Sequence, residues 1–177
     1  MSKVELKTER LTLVPYGMKY LETAYKYTSD LENTRYMMFL PNDSIEEAIE
    51  YLEKVDEEWE KEKPILYEFA ILYNGVHVGS IGIDILNEER THGELGWCLD
   101  KEYWRMGIMS EAAKAVVDFG VHKIGIRYFI AHCDSENIAS YKLMEKIGMK
   151  LKARYGGRKN KASEEEREEL EYEMYIE

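Results

Sequence analysis

The chain has 177 residues and a formal net charge of −11, enough length for one domain with a sizeable core and the wrong sign of field to attract nucleic acid or an anionic membrane. Its two cysteines, Cys98 and Cys133, have no paired spacing, which argues against a disulfide framework and against a zinc knuckle. Met1–Thr12 has no apolar signal core and no run reaches membrane-spanning length, so the expectation is a single cytoplasmic domain over 1–177 with no metal, nucleic-acid or membrane partner.

In chain order, Leu11–Tyr16 reads as a short strand ended by Pro15 and Gly17, and Met18–Thr28 as a helix rich in tyrosine. Asn33–Leu40 gathers Arg35, Tyr36, Met37, Met38 and Phe39 without long periodicity, in a loop that either lines a pocket or covers the edge of the core. Ser44-Ile45-Glu46-Glu47 has the form of a capping box. It opens a helix to about Lys63, with Ile45, Ala48, Leu52, Val55 and Trp59 as the buried stripe and a solvated acidic face opposite. Tyr67–Tyr73 and Val76–Ile85 flank Asn74-Gly75, a strong hairpin signal. Leu86–His92 is a polar loop.

Glu94–Leu99 is a short apolar strand, followed by the polar connector Asp100–Met106. Gly107 then opens a helix to about Phe119, in which Ile108, Ala112 and Val116 recur on one side, as do Met109, Ala113 and Val117. Gly120 is expected to end that helix in a left-handed conformation. A strand feeding a tight loop into a helix leaves backbone N–H groups unpaired at the positive end of the helix dipole, where phosphate binds. Gly107 lets a ligand approach closely, with Lys101 and Arg105 adding positive charge nearby. Any strand–loop–helix unit shares these traits, so the segment alone does not establish a phosphate site. Arg127–His132 is the next strand, parallel to Glu94–Leu99. After the turn Cys133–Asn137 come a helix over Ile138–Ile147 closed by Gly148, a strand Met149–Tyr155, a long polar connection Gly156–Glu168 and a final strand Glu169–Ile176. The total is about seven strands and four helices in one mixed α/β sheet, antiparallel hairpins preceding a parallel core.

Glu94-x-Gly96-x-x-Leu99, Trp104-Arg-Met-Gly107-Ile-Met109-Ser-Glu-Ala and Asn137-x-x-Ser140-x-x-x-Met144-Glu-Lys146-x-Gly148-Met149, in this order, resemble the GNAT acetyltransferases. With Glu9-Arg10-Leu11-Thr12-Leu13 added, the resemblance is strongest to the RimJ/RimL-type branch. It implies a GNAT-type fold whose two parallel strands splay to admit acetyl-CoA. The diphosphate would sit on amides of Arg105, Met106, Gly107, Ile108, Met109 and Ser110, and the pantetheine arm along Trp97, Cys98 and Leu99. Asn137, by itself an N-cap, would also touch that arm. The chain departs from the family's loop pattern at Trp104 and Met109, so Met109 must point into the core to leave room.

The implied reaction is attack of a neutral amine on the thioester. An amine of pKa near 10.4 costs about 4.6 kcal/mol to deprotonate at pH 7, an α-amine only about 1, so a base matters most for lysine-like or polyamine acceptors. Glu94 is the base candidate, acting through water and needing burial to raise its basicity; the structural alternative is a residue that pairs with a neighbouring strand. Ser140 is the candidate proton donor to the CoA sulfur, or else a helix residue bonded to its own backbone. The family's usual acid, a tyrosine seven residues after the asparagine, is Met144 here. The four histidines lack metal-ligand spacing and read as surface or loop residues, His92 being near enough to Glu94 to help move a proton. Cys98 and Cys133 read as buried small groups. The expected activity is acetyl transfer to a protein N-terminus or a small-molecule amine by a monomer or homodimer. The competing reading is a CoA-binding regulatory module without catalysis. The acceptor is expected to enter between Asn33–Leu40, Leu86–His92 and Gly156–Glu168.

Overall fold

The computed structural model describes residues 4–177, so the first three residues of the Met1–Thr12 segment lie outside the described residues. Eight strands form one sheet in the order β1-β2-β3-β4-β5-β6-β8-β7, one more than the pattern predicts. The addition is β1, Leu6–Lys7, too short to carry an alternation signal. The others are β2 (Leu11–Pro15), β3 (Leu66–Tyr73), β4 (Val76–Ile85), β5 (His92–Leu99), β6 (Tyr128–Asp134), β7 (Lys150–Lys159) and β8 (Glu166–Tyr175). Only β5 and β6 run parallel; every other pairing is antiparallel.

Helices α1 (Leu21–Thr28) and α2 (Ile45–Glu60) cover one face of the sheet, where Tyr27, Leu52, Val55, Leu66 and Ala70 form a smaller core. Helices α3 (Ile108–Phe119) and α4 (Ile138–Lys146) lie on the other face, where Ala112, Val116 and Met144 join the large core with Phe69, Ile81 and Phe129. The predicted apolar stripe of α3 is therefore the packed face, and Met109 does point into the core, 7% exposed. Among the described residues no helix is long and apolar enough to cross a membrane.

Three local expectations need correction. Gly120 is right-handed (φ −57), and the chain runs on through a wider helical turn to Gly125, which takes the left-handed conformation (φ 97). Gly120 is small for packing reasons: a Cβ there would lie 3.0 Å from both Ile83 and Phe129. The capping box does not form, since Ser44 makes no side-chain cap. Its partner Glu47 accepts instead from the Asp43 N–H (2.9 Å) and from Lys161 (2.7 Å). The long polar connection Gly156–Glu168 is mostly strand, because β7 and β8 pair out to Lys159 and Glu166. Charged side chains on both faces of β7 hid its alternation. The new turn is tied to the segment after α1: Asn160 Nδ2 lies 2.7, 2.8 and 3.0 Å from the carbonyls of Thr34, Met37 and Leu40.

Within the α1/α2 face, His77 is buried among Tyr16, Tyr20 and Tyr27, and burial holds its pKa down to about 4. In the unfolded chain it titrates near 6.5, so the unfolded state binds the extra proton as pH falls from 6.5 towards 4 and stability drops across that window. Chemical denaturation at pH 7 and pH 4.5 should register a loss of about 2 to 3 kcal/mol from this group. His77→Gln should lack that component.

Candidate functional site

The parallel ladder of β5 and β6 is short. It pairs His92 with Tyr128 and ends with Leu95 opposite Ala131, although β5 continues to Leu99 and β6 to Asp134. Beyond that point β5 stays bonded to β4 as far as Leu99, and β6 to β8 as far as Asp134, so a wedge opens between them. Asp100 donates to the Val78 carbonyl (2.8 Å), and backbone groups alternate sides along a strand. Trp97 and Leu99 therefore turn their amides into the wedge while Cys98 turns its own towards β4. This corrects the expectation for Cys98, which offers the wedge no backbone group. The Leu99 carbonyl accepts from Trp104 Nε1 (2.9 Å) and Asn33 Nδ2 (3.1 Å), leaving the backbone of Trp97 and the Leu99 N–H as the free edge.

Both helices that follow the wedge begin at its mouth. Gly107 is the N-cap of α3 with φ 73 and no side-chain cap, so the N–H groups of Ile108, Met109 and Ser110 have no partner four residues back. Arg105 is also left-handed (φ 62), and its exposed side chain stands at the loop. Lys101 is not a phosphate cation, because it bridges Asp30 (2.9 Å) and Glu32 (3.0 Å). The guanidinium nearest the loop is that of Arg10, itself paired with Glu111. It donates to the Met106 carbonyl (2.8 Å) and to Glu111 (2.7 Å), and a Cβ on Gly107 would lie 3.4 Å from it. At the start of α4, Asn137 Oδ1 accepts from the Ser140 N–H (3.3 Å), the predicted N-cap. Ser140 Oγ accepts from Trp97 Nε1 (3.3 Å) rather than bonding its own helix, so its hydroxyl proton is free to point elsewhere.

A cavity of about 860 Å³ runs from the α1/α2 face into the wedge and brings Glu94, Trp97, Cys98, Asn137 and Ser140 together. The loop residues fall outside it: Gly107 and Ser110 line a separate cleft of about 750 Å³ with Arg10, Lys114 and Lys146. Ile108 and Met109 have buried side chains. Tyr36–Leu40 lines the large cavity, as expected of Asn33–Leu40, and so do Arg158 and Lys161, whereas Leu86–His92 contributes nothing.

The residue that the sequence reading missed is His132. It lies on β6, its Nδ1 2.7 Å from Glu94 Oε1 and its Nε2 3.4 Å from Glu171 Oε2. The hydrogen bond to Glu94 holds its pKa above the ordinary value. His92, read as a possible helper of Glu94, instead packs edge-on against Tyr128. Two more lining residues were passed over, Glu68 and Asp84. Glu68 stands in an otherwise apolar stretch, Tyr67-Glu68-Phe69-Ala70-Ile71, and a lone carboxylate there was the available signal. It accepts from the hydroxyls of Tyr51 and Ser80, and burial raises its pKa to about 7. Burial also pushes the Cys98 and Cys133 thiols up to about 12, as suits inert small groups. Among the described residues no cluster of three or more His, Cys, Asp or Glu side chains has the arrangement of a metal site.

The model of the acetyltransferase (GNAT) domain family matches residues 10–150, and the chain belongs to that family of acetyltransferases. Among curated relatives, the uncharacterized N-acetyltransferase YnaD of Bacillus subtilis is 29% identical over 151 residues, 83% of each chain. A GNAT-family acetyltransferase structure from Bacillus anthracis superimposes with a TM-score of 0.81 at 26% identity, covering 97% of this chain and 98% of that one. The fold is also that of the Salmonella typhimurium acetyl transferase that modifies the N-terminal serine of ribosomal protein L7/L12, with a TM-score of 0.82 at 15% identity over 98% of this chain and all of that one. The RimL-type fold expected from the sequence is thus the fold observed.

A β-branched residue at the left-handed position of Gly107 costs roughly 1–2 kcal/mol and reshapes the loop. Gly107→Val is expected to lower affinity for coenzyme A at least tenfold in calorimetry while the far-ultraviolet spectrum stays unchanged. Undiminished affinity would move the anion seat away from this loop.

Proposed function

We propose that the protein transfers an acetyl group from acetyl-CoA to a primary amine, with Glu94 and His132 acting together as the base. The observation that carries this reading is the 2.7 Å contact between these two side chains, in a cavity that opens on the wedge between β5 and β6. The residues present suit coenzyme A. The Trp97 backbone and the Leu99 N–H would hold the pantetheine arm, the Ile108–Ser110 amides with Arg105 and Arg10 the diphosphate, and Asn137 the region between. Acetyl-CoA supplies an activated thioester, whose C–S bond breaks as the new C–N bond forms.

The rest falls to the protein. The acceptor enters as an ammonium ion and must lose a proton before it can attack. A lone carboxylate of pKa near 4.3 is about 8 kcal/mol short of deprotonating an amine of pKa 10.4. The dyad is a better base. His132 donates its Nδ1–H to Glu94 (2.7 Å), which fixes that tautomer and leaves the lone pair on Nε2, 3.4 Å from Glu171, itself held by Lys152 (2.9 Å) and Tyr155 (2.8 Å). A proton taken up at Nε2 then makes the ring an imidazolium flanked by the carboxylates of Glu94 and Glu171. The pair therefore has the basicity of a histidine raised above 6.5, which cuts the deficit to less than about 5 kcal/mol. Ser140, its oxygen already accepting from Trp97, has its own proton to offer to the departing thiolate, which becomes the free thiol. The acceptor nitrogen's second proton restores the Ser140 hydroxyl through water, the imidazolium passes the first to solvent, and one proton is released per amide formed. The N-terminal amine modified by the Salmonella relative is one member of this acceptor class.

Because His132 is charged below its raised pKa and neutral above it, kcat/KM should rise with pH through a value above 6.5. General bases contribute about 10²–10⁴-fold. Glu94→Gln should lower turnover at least tenfold with coenzyme A affinity unchanged, and His132→Gln should lower it comparably and erase that limb of the profile. A full pH profile in His132→Gln would remove histidine from the base.

A further inference from the structure

The acceptor cavity has a charge pattern that the acetyl-transfer reading does not use. Glu68 on β3, Asp84 on β4 and Glu94 on β5 lie on the same sheet face in consecutive strands, Asp84 directly opposite Glu94 and Glu68 opposite Gly82. All three line the cavity. Between them Gly82 and Gly96 face each other across the same two strands. Neither has a side chain, and a Cβ on Gly96 would meet nothing within 4 Å. The floor of the cavity is thus bare backbone, with carboxylates set around it.

The cations of the cavity are committed elsewhere. Arg158 is tied to Glu169 (2.6 Å) and the Tyr36 carbonyl (3.1 Å), and Lys161 to Glu47 (2.7 Å) and Asp43 (2.9 Å). Glu94 has His132. Among the described residues no lysine, arginine or histidine forms an ion pair with Glu68 or Asp84; burial and the facing charge of Glu94 push the Asp84 pKa up, against the more distant positive charge of Lys54 on α2. Glu68 is 8% exposed and has two hydroxyl donors but no counter-charge; burial favours its protonated form, and a bound cation would hold it ionised.

We propose, building on the acetyl-transfer reading, that the acceptor is a short α,ω-diamine: one nitrogen reacts beside Glu94 and the second ammonium is held by Glu68 and Asp84. The spacing suits this. Neighbouring strands lie about 4.8 Å apart and a strand advances about 3.4 Å per residue; Glu68 is in line with Gly96, two residues from Glu94, so Glu68 and Glu94 are roughly 12 Å apart at the backbone. An extended chain advances about 1.2 Å per bond, so 1,4-diaminobutane spans about 6 Å between nitrogens. A charge-assisted hydrogen bond of about 2.8 Å at each end closes the remainder. Met37 and Tyr51 in the cavity wall offer apolar surface to the methylenes. A monoamine of the same length would leave both carboxylates without a cation.

The test compares 1,4-diaminobutane with 1-aminobutane. The wild-type kcat/KM should favour the diamine at least tenfold, mostly through KM, and Glu68→Gln and Asp84→Asn should each reduce that preference at least tenfold, with melting curves reporting that the variants fold. Calorimetry of the same two amines on coenzyme A-loaded wild-type protein reads the preference without turnover. Equal kcat/KM or equal affinity for the two amines overturns the diamine assignment and leaves acetyl transfer standing. Selective binding of the diamine with no acetylation of either amine upholds the assignment and overturns the transfer reading.

Discussion

The arrangement depends on a backbone ladder that stops early. After Leu95 and Ala131 the two parallel strands no longer satisfy each other, and each keeps its partner on the far side only. An unpaired buried backbone group costs on the order of 1–3 kcal/mol, so the wedge is stable only where water or a ligand can reach it. Because β5 and β6 are parallel, both end at the same edge of the sheet, and the helices that follow them, α3 and α4, both begin there. The free N–H groups of α3 and the positive dipole ends of both helices lie at that edge. Helix starts converging where parallel strands part are the usual circumstance for ligand binding in sheets of this kind.

The two faces of the sheet divide the labour. On the α3/α4 side the inward positions are apolar, Leu95, Phe129, Ala131 and Cys133 among them, and polar groups appear only at the wedge, as Trp97 and Ser140. On the α1/α2 side the same strands present Glu68, Ser80, Asp84, Glu94 and His132. Alternation with a period of two makes this possible without any break in the strands. The thioester and the amine can thus approach from opposite faces and meet in the gap.

Much of this was legible where the cause is local. Asn74-Gly75 is a two-residue turn with both φ values positive, 50 and 76, as its composition requires. Gly148 is left-handed at the end of α4 (φ 100), and Asn137 caps its start. The readings that failed depended on distant partners. Glu47 left its capping role for Lys161, 114 residues away. Gly120 answers to Ile83 and Phe129 rather than to the helix it interrupts. The Arg10 site at the phosphate loop requires β2 to pass beside the start of α3, which no local pattern records. His132 was invisible for the same reason: its distance from Glu94 follows from the parallel register, and nothing in either segment fixes that register alone.

That register also explains why Glu94 and His132 meet. Had the ladder continued, His132 would stand beside Gly96, the next step after Leu95 and Ala131. Gly96 offers no side chain for the imidazole to pack on, so the ring can lean back to Glu94 and form a bond across the two strands just where their amides separate. The contact bridges the two strands where their ladder ends. The Glu94–His132 bridge and the free backbone of Trp97 thus adjoin at the root of the wedge, with Gly96 between them.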